Sequence, residues 1–197
     1  PDCGIYYEVV GEGPALVFAH GLGGNHLSWW QQAAHFSLRY TCVVFAHRGF
    51  APSTPVPGAT APDAYADDLA ALIEELKLKD VRLVAQSMGG WTCIEYTLRN
   101  PSKVKALVMA STSGTLDFRQ LTGAEAPGIR EWIGRAPRVI ADLESRGILA
   151  AHGERMAAEQ PPAALLYRQI SQLTPADFKA AVRARIMQLR VRSPSLL

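Results

Sequence analysis

The stretch over residues 81–89 constrains the fold most, because an apolar run stops abruptly at Ser87 and a helix-compatible segment follows at once. The run predicts a buried β-strand, and residues 91–99 suit a helix. Ala85 and Gly89 stand two positions before and after the serine, where a strand that turns directly into a helix has room only for small side chains. Such a turn lifts the serine hydroxyl clear of the sheet, above the N–H groups that begin the helix. The pattern therefore predicts that Ser87 is a nucleophile.

Apolar, strand-like runs alternate with helical segments over the first half of the chain. Strands are predicted over residues 5–10, 15–19, 42–45, 81–86 and 104–110, and helices over residues 27–36, 63–76 and 91–99. The fold class is therefore α/β, a mostly parallel sheet with helices on both faces. Residues 5–10 are expected as a half-exposed antiparallel strand near one edge, and residues 104–110 as a buried strand. In such sheets ligands bind beyond the carboxyl ends of the strands, where His20, His47 and Ser87 all fall.

The pattern changes after residue 114, where strands stop and helical segments follow. These segments cover residues 128–146, 148–159, 162–173 and 175–190, with Thr174 as the expected N-cap of the last. A helical block that follows the fourth parallel strand predicts a helical cap inserted over the site.

We therefore divide the chain into a core over residues 1–114, a helical cap over residues 115–190, and the start of a next core strand over residues 191–197. Without that next strand, the apolar run over residues 104–110 would form an open sheet edge, which favours aggregation. The natural protein is therefore expected to continue past Leu197.

Charge and composition exclude several classes of function. The 20 basic and 18 acidic residues are scattered along the chain, so the sequence lacks the clustered positive charge that is typical of nucleic-acid binding. No apolar run approaches the length of a membrane span, and we expect no membrane contact. The three cysteines form no CxxC pair, which favours a reducing, cytoplasmic location. No His or Cys pair has the spacing of metal ligands, so no metal is expected.

Three motifs in order resemble those of the α/β-hydrolase superfamily, and the resemblance covers essentially the whole chain. The HGLG motif at residues 20–23 is similar to its oxyanion loop, Arg48-Gly49 to the loop after its next strand, and the AQSMG motif at residues 85–89 to its nucleophile elbow. The helical block is similar to the cap of its small members, which include esterases, enol-lactonases and hydrolases of carbon–carbon bonds. The resemblance implies a small-molecule substrate and no cofactor.

The resemblance also assigns roles to residues. Ser87 would attack an acyl carbonyl, and the backbone N–H groups of Met88 and Leu22 would form the oxyanion hole. Three further residues would support the oxyanion loop: His20, Gly21 and Gly23. The family takes its triad acid and its histidine from a later strand and loop, both of which would lie beyond Leu197.

None of the five histidines is a strong candidate for the general base that a serine nucleophile needs. His20 is expected to brace the oxyanion loop, and His47 to pack near the rim of the pocket. The others are expected at packing, surface or cap positions: His26, His35 and His152. Three aspartates are typical of a solvated helix start rather than of a triad acid: Asp63, Asp67 and Asp68.

The chain departs from the family pattern at three alanines. Ala85 stands where glycine is commoner, and the turn tolerates it because a methyl group is small. Ala46 stands where many relatives carry Asp, and Ala51 where many carry Gly. We expect these two alanines to loosen the loop that follows residue 45.

The sequence thus predicts a serine hydrolase that cleaves an ester, lactone or related carbonyl bond of a small, largely apolar substrate. Four aromatic side chains are expected to line its pocket: Trp91, Trp30, Phe118 and Trp132.

The alternative is a hydrolase-like protein that binds a small ligand without turnover, because no triad acid or histidine is in place. A third interpretation is a dinucleotide-binding loop at residues 21–23. It fails because His26 occupies the position where that motif requires its third glycine, and Ala46 occupies the position of the acidic residue that binds the ribose. No oligomeric state is predicted.

Overall fold

The computed structural model describes residues 3–124 and 126–196, and its core is a five-stranded sheet. The strands are β1 (Tyr7–Val10), β2 (Ala15–Ala19), β3 (Thr41–Phe45), β4 (Val81–Gln86) and β5 (Val104–Ala110). They lie in the order β1-β3-β2-β4-β5. β1 runs antiparallel to β3, and the other neighbouring pairs are parallel. The predicted α/β class and mostly parallel sheet are confirmed.

The helices follow the alternation that the sequence predicts. The described residues form α1 (Trp30–Phe36), α2 (Tyr65–Glu75), α3 (Gly89–Arg99), α4 (Ala126–Ser145), α5 (Gly153–Glu159), α6 (Pro161–Gln172) and α7 (Ala176–Gln188). Short 3-10 helices lead into two of them, at His26–Trp29 before α1 and at Ala61–Ala64 before α2. The predicted long first helix is thus a 3-10 turn followed by a short α-helix.

The two faces of the sheet are covered by different helices. Alternate side chains of a strand point to opposite faces. Val17 packs towards α2 and α3, where Leu69 is fully buried. Phe18 points to the other face and packs against Ala33 of α1. The centre of the sheet is therefore buried on both sides, as continuous apolar strands require.

Both edge strands are more exposed than the sequence predicted. All four residues of β1 are exposed, and in β5 the side chains of Ala106 and Val108 are exposed although a buried strand was expected. Within the described residues β5 pairs only with β4. An apolar groove of about 310 Å³ lies beside it, between the sheet and α1, where Phe36 faces Val84 and Val108. The apolar pattern predicts the strand, but the neighbouring elements decide whether it is buried.

The two ends of the helical segment that contains α4 to α7 meet at one place on the core. The Arg192 N–H donates to the Thr115 carbonyl (3.0 Å), and the Arg192 carbonyl accepts from the Asp117 N–H (2.8 Å). Glu95 on α3 accepts hydrogen bonds from the Arg192 guanidinium at 2.7 and 2.9 Å and from the Thr115 hydroxyl at 2.7 Å. These bonds tie both ends of the segment to α3, and we call them the base clamp.

The last helix, α7, packs onto the core through Val182 and Ile186, both of which are buried. The prediction of Thr174 as its N-cap is wrong. Pro175 holds that position, because its carbonyl accepts the hydrogen bond from the Lys179 N–H at 3.1 Å.

The end of the chain differs from the predicted start of a strand over residues 191–197. Arg192 forms an isolated bridge with Leu116, and residues 194–196 form a 3-10 turn, because no further backbone pairing extends that bridge within the described part of the chain. Leu197 lies outside the described residues. Throughout residues 3–124 and 126–196, every helix is too short or too polar to cross a membrane.

Candidate active site

Ser87 occupies a sharp turn between β4 and α3, with only Met88 between the serine and the start of the helix. Its backbone is left-handed, with φ of 48°, a conformation that residues other than Gly rarely adopt. Hydrogen bonds on both sides hold it: the Ser87 N–H donates to the Ala110 carbonyl (3.2 Å), and the Ser87 carbonyl accepts from the Gly90 N–H (2.9 Å). Strain of this kind persists only where the surrounding structure enforces it, and it is typical of functional sites.

The small neighbours of Ser87 are explained by close backbone approach. A Cβ built on Gly89 would overlap the carbonyl of Ala19 at the end of β2, with its carbonyl carbon at 2.7 Å. Ala85 is fully buried against the adjacent strands. A larger residue at either position would push the strand and the helix apart.

The loop after β2 touches the serine turn. A Cβ built on Gly21 would lie 3.1 Å from the Ser87 Cβ, so this loop and the serine turn are in direct contact. The Gly24 N–H donates to the Gly21 carbonyl (3.0 Å) and closes the loop as a turn. Within the described part of the chain, neither the Leu22 N–H nor the Met88 N–H has a hydrogen-bond partner. Two free backbone donors thus stand on the two segments that meet at Ser87.

His20 is buried behind this loop and joins it to the loop after β3. Its Nδ1 lies 2.8 Å from the Gly21 carbonyl oxygen, and its Nε2 accepts from the His47 N–H at 3.0 Å. A carbonyl oxygen only accepts, so these partners assign the hydrogen to Nδ1. Burial lowers the pKa of His20 to about 4, so the ring is neutral near neutral pH.

His47 is buried rather than placed at a pocket rim as predicted. Its Nε2 lies 2.8 Å from the Thr92 hydroxyl oxygen, and its ring packs against Tyr65 with centroids 4.6 Å apart. Burial lowers the pKa of His47 well below its ordinary value, with a smaller contribution from His20. The carbonyl of Ala46 in this loop accepts a hydrogen bond from the Ser53 hydroxyl at 2.7 Å, and the loosening of the loop stays a prediction.

None of the five histidines hydrogen-bonds the Ser87 hydroxyl within the described residues. His20 and His47 have the partners given above, and burial lowers the pKa of His26, whose Nε2 lies 3.6 Å from a Glu8 oxygen. The other two lie elsewhere: His35 is exposed on α1, and His152 precedes α5. The described arrangement therefore places no imidazole base on the serine.

The three aspartates near α2 form ion pairs, and one is buried against expectation. Asp68 is buried and pairs with Arg48 of the loop after β3. The carboxylates of the other two contact arginines of distant elements, Asp63 with Arg185 of α7 and Asp67 with Arg99 of α3. Asp63 and Asp67 are exposed, as expected of a solvated helix start, although each pairs with an arginine of another helix. Asp68 is buried and does not fit that expectation.

The predicted pocket aromatics lie in different environments. Trp91 is buried, and its Nε1–H donates to the Ile186 carbonyl at 2.8 Å, so it holds α7 against α3. Phe118 is half-buried, whereas Trp30 is 55% exposed and Trp132 is 61% exposed, so neither of these two is enclosed.

Sequence reasoning missed two aromatic side chains of the helical segment that reach the core loops. Tyr167 of α6 lies on Gly23, and the ring of Phe178 on α7 lies on Gly49. No local signal identifies either residue, because the contact depends on how the helices fold back over the sheet. In the described ranges no group of three or more His, Cys, Asp or Glu side chains is arranged to hold a metal ion.

Comparison with known proteins is consistent with this geometry. The family model described as alpha/beta hydrolase fold matches residues 14–147, more than half of the chain. 3-Oxoadipate enol-lactonase 2 of Acinetobacter baylyi is 32% identical over 133 residues, which cover 66% of this chain and 49% of that protein. Non-heme chloroperoxidase CPO-A1 of Kitasatospora aureofaciens is 37% identical over 109 residues, 54% of this chain and 40% of that protein. The chain thus matches about half, or less, of the length of these relatives.

Among solved structures, a carboxylesterase of Nitrososphaera gargenis superposes with a TM-score of 0.68 at 20% identity, over 97% of this chain and 70% of that one. At this identity the likeness shows the fold.

Proposed function

The chain belongs to the alpha/beta hydrolase fold family, and on that premise we propose that it is a serine hydrolase that cleaves a small ester or lactone through an acyl-enzyme on Ser87. The observation that carries the proposal is the pair of free N–H groups, of Leu22 and Met88, on the two segments that meet at the strained serine. In an ordinary strand–helix turn, nothing requires a second loop with a free N–H group to lie beside the serine. Two such donors suit a carbonyl oxygen that becomes negatively charged.

In the proposed reaction, Ser87 Oγ attacks the substrate carbonyl carbon while a base takes its proton. The charge that develops on the carbonyl oxygen is stabilised by the N–H groups of Leu22 and Met88. The tetrahedral species then breaks the bond to the alcohol oxygen, which takes up the proton, and the acyl group remains on the serine. Water attacks this acyl-enzyme in the same way and releases the acid.

The reaction requires a general base at Ser87, and no histidine supplies one in the described arrangement. His20 and His47 are held by other partners and buried, so either would have to break existing hydrogen bonds to reach the serine. The proposal therefore requires an imidazole from elsewhere. The enol-lactonase is about twice as long as the stretch that it shares with this chain.

The surroundings of the oxyanion loop favour a small, largely apolar substrate. Leu22 and Met88 belong to an apolar cluster in which Phe50, Trp91 and Phe178 also pack. Apolar walls with a few convergent polar groups are typical of small-molecule sites. The name of an enol-lactonase among the similar proteins supports the choice of ester and lactone bonds.

A second candidate function is binding of a small ligand without turnover. The specific observation in its favour is that the Ser87 hydroxyl has no base within the described residues. Such a protein would keep the free donors of the loop as a binding site for a carbonyl or carboxylate oxygen.

Hydrolysis of short p-nitrophenyl esters by the protein expressed from its complete gene distinguishes the two. Ser87→Ala should lower kcat about 10³-fold or more, since the nucleophile is lost. Ser102→Ala, at an exposed position after α3, serves as the matched control and should leave kcat unchanged. Activity that survives Ser87→Ala would contradict the proposal. Ester binding by the wild type without turnover would favour the second candidate.

A further inference from the structure

Tyr167 reaches from α6 to the oxyanion loop. A Cβ built on Gly23 would overlap the Tyr167 hydroxyl oxygen and would lie 3.1 Å from its ring carbon Cζ. The contact has backbone support, because α6 packs against the 3-10 helix His26–Trp29 that follows the loop. Within the described residues the Tyr167 hydroxyl forms no hydrogen bond, although the side chain is only partly exposed. Burial raises the pKa of Tyr167, so the phenol remains a neutral donor.

His152 stands beside Tyr167 and offers the complementary group. The two rings meet edge to face, with centroids 6.0 Å apart. The Nδ1 of His152 lies 3.0 Å from the Gly153 carbonyl oxygen, which only accepts, so Nδ1 carries the hydrogen. In the neutral ring Nε2 is then an acceptor, and it is buried without a partner among the described residues.

Tyr167 therefore presents a free donor at the rim of the oxyanion loop, and His152 presents a buried, free acceptor beside the Tyr167 ring. Buried polar atoms in folded proteins are nearly always hydrogen-bonded, so an unpaired one calls for an explanation. A hydroxyl group is the simplest partner for both, since it accepts one hydrogen bond and donates another.

We propose that Tyr167 and His152 form a hydroxyl-binding subsite, and that Tyr167 is a positioning residue that selects substrates with a hydroxyl group close to the scissile carbonyl. The inference rests on the proposed function, because Gly23 follows Leu22, whose N–H would bind the carbonyl oxygen. The Tyr167 O–H donates to the substrate hydroxyl, which in turn donates to His152 Nε2. These two bonds hold the carbonyl carbon over Ser87. An ester without the hydroxyl leaves both groups unpaired, which a site of this kind disfavours.

Three esters test the subsite and identify the side of the substrate that carries the hydroxyl. Ethyl 3-hydroxybutanoate carries it on the acyl group, its isomer 2-hydroxyethyl butanoate on the alcohol, and ethyl butanoate carries none. One hydroxylated ester should show kcat/KM about tenfold above ethyl butanoate, the factor expected for a net hydrogen bond of ordinary strength.

The Tyr167→Phe variant should abolish that advantage, so that the ratio of kcat/KM between the hydroxylated ester and ethyl butanoate falls to about one, because only the hydroxyl is removed. His152→Phe should lose the same preference while it keeps an aromatic ring against Tyr167. Tyr7→Phe is the matched control, because Tyr7 lies in the exposed edge strand β1. This variant should keep the preference for the hydroxylated ester. A merely structural role for Tyr167 would lower the activity towards all three esters alike.

Binding of the same esters to the Ser87→Ala variant, measured by calorimetry, separates the subsite from turnover. A hydroxyl preference in Kd that disappears in Ser87→Ala/Tyr167→Phe supports the subsite, even if the wild type hydrolyses none of the esters and the proposed function fails. Turnover without any hydroxyl preference, or a preference that survives Tyr167→Phe, overturns the subsite and leaves the proposed function standing.

Discussion

At the scale of single residues, the site depends on a backbone conformation that the chain adopts only under constraint. Ser87 has a positive φ, and Gly89 leaves no room for a side chain against β2. A Cβ on Gly21 would overlap the Gln86 side chain and crowd the Ser87 Cβ. The small residues are therefore required by packing. Their loss should cost stability even where no catalytic group is touched.

Two Gly→Ala variants test this requirement. Gly89→Ala should lower the free energy of unfolding by about 3 kcal/mol, because its Cβ would overlap the Ala19 carbonyl. Gly134→Ala is the matched control, since Gly134 lies within α4 with nothing near its Cβ position, and should raise the free energy of unfolding by up to about 1 kcal/mol. Urea unfolding of both variants measures the difference. Equal effects of the two substitutions would contradict this account of the turn.

His20 should make stability depend on pH. Its pKa falls from 6.5 in the unfolded chain to about 4 in the folded protein. Below its ordinary pKa the unfolded state takes up a proton that the folded state does not, so the free energy of unfolding decreases as the pH falls. Between about pH 7 and about pH 5 this group alone should remove about 2 kcal/mol, and buried His47 should add to the loss.

The variant His20→Asn should show a shallower decrease between the same pH values, measured by urea unfolding. His35→Asn, exposed on α1, should keep the slope of the wild type. A wild-type free energy of unfolding that stays constant across this range would show that His20 is not buried as a neutral group.

At the scale of secondary-structure elements, the base clamp fixes how the helical segment stands on α3. Glu95 accepts bonds from Arg192 at one end of the segment and from Thr115 at the other. These contacts, mainly the hydrogen bond from Arg192, hold the pKa of Glu95 below its ordinary value of 4.5. The clamp therefore contributes stability above about pH 4.5, and this contribution is lost as the pH falls through the lowered pKa.

Glu95→Gln should lower the free energy of unfolding by about 1 kcal/mol near neutral pH, because Arg192 loses its charged partner. The difference from the wild type should shrink as the pH falls from about 4.5 through the lowered pKa of Glu95, because the wild-type carboxylate becomes protonated over that range. Glu131→Gln removes an exposed pair with Arg135 on α4 and should have little effect. If Glu95→Gln lowers the free energy of unfolding by the same amount near neutral pH and below the lowered pKa of Glu95, the carboxylate charge is not the source of the loss.

The elements also show what the sequence can predict. The bounds of β2 and β5 and the serine turn before α3 follow from local patterns, and so does Ser87 as a candidate nucleophile. Leu22 as a candidate site residue follows from the resemblance to the α/β-hydrolase superfamily. The exposure of β5 was not predictable, because burial depends on which elements lie beside the strand. Tyr167 and the base clamp were missed for a related reason: residues 95 and 192 are far apart in sequence, and no periodicity or motif links them.

At the scale of the whole molecule, α7 joins the helical segment to the loops around the site. The ring of Phe178 covers Gly49 and Gly58 and meets the Phe50 ring edge to face, with centroids 5.4 Å apart. Val182 and Ile186 of the same helix are buried in the cluster that contains Met88. The helical segment and the core should therefore unfold together.

Phe178→Ala should lower the free energy of unfolding by about 2 kcal/mol, because it opens a cavity over two glycine-containing loops. Leu173→Ala, at a residue that is 50% exposed, should change it by less than about 0.5 kcal/mol. Urea unfolding followed by both circular dichroism and Trp fluorescence measures the effect and its cooperativity. Separate transitions in the wild type would contradict a single cooperative unit.

The central claim is that Ser87 is an activated nucleophile facing two backbone donors. Treatment of the protein, expressed from its complete gene, with a fluorophosphonate probe, followed by intact mass and peptide mapping, tests it most directly. The account predicts a single adduct, located on Ser87 and absent from Ser87→Ala. A protein that hydrolyses esters yet carries no adduct, or carries it on another residue, would contradict the assignment.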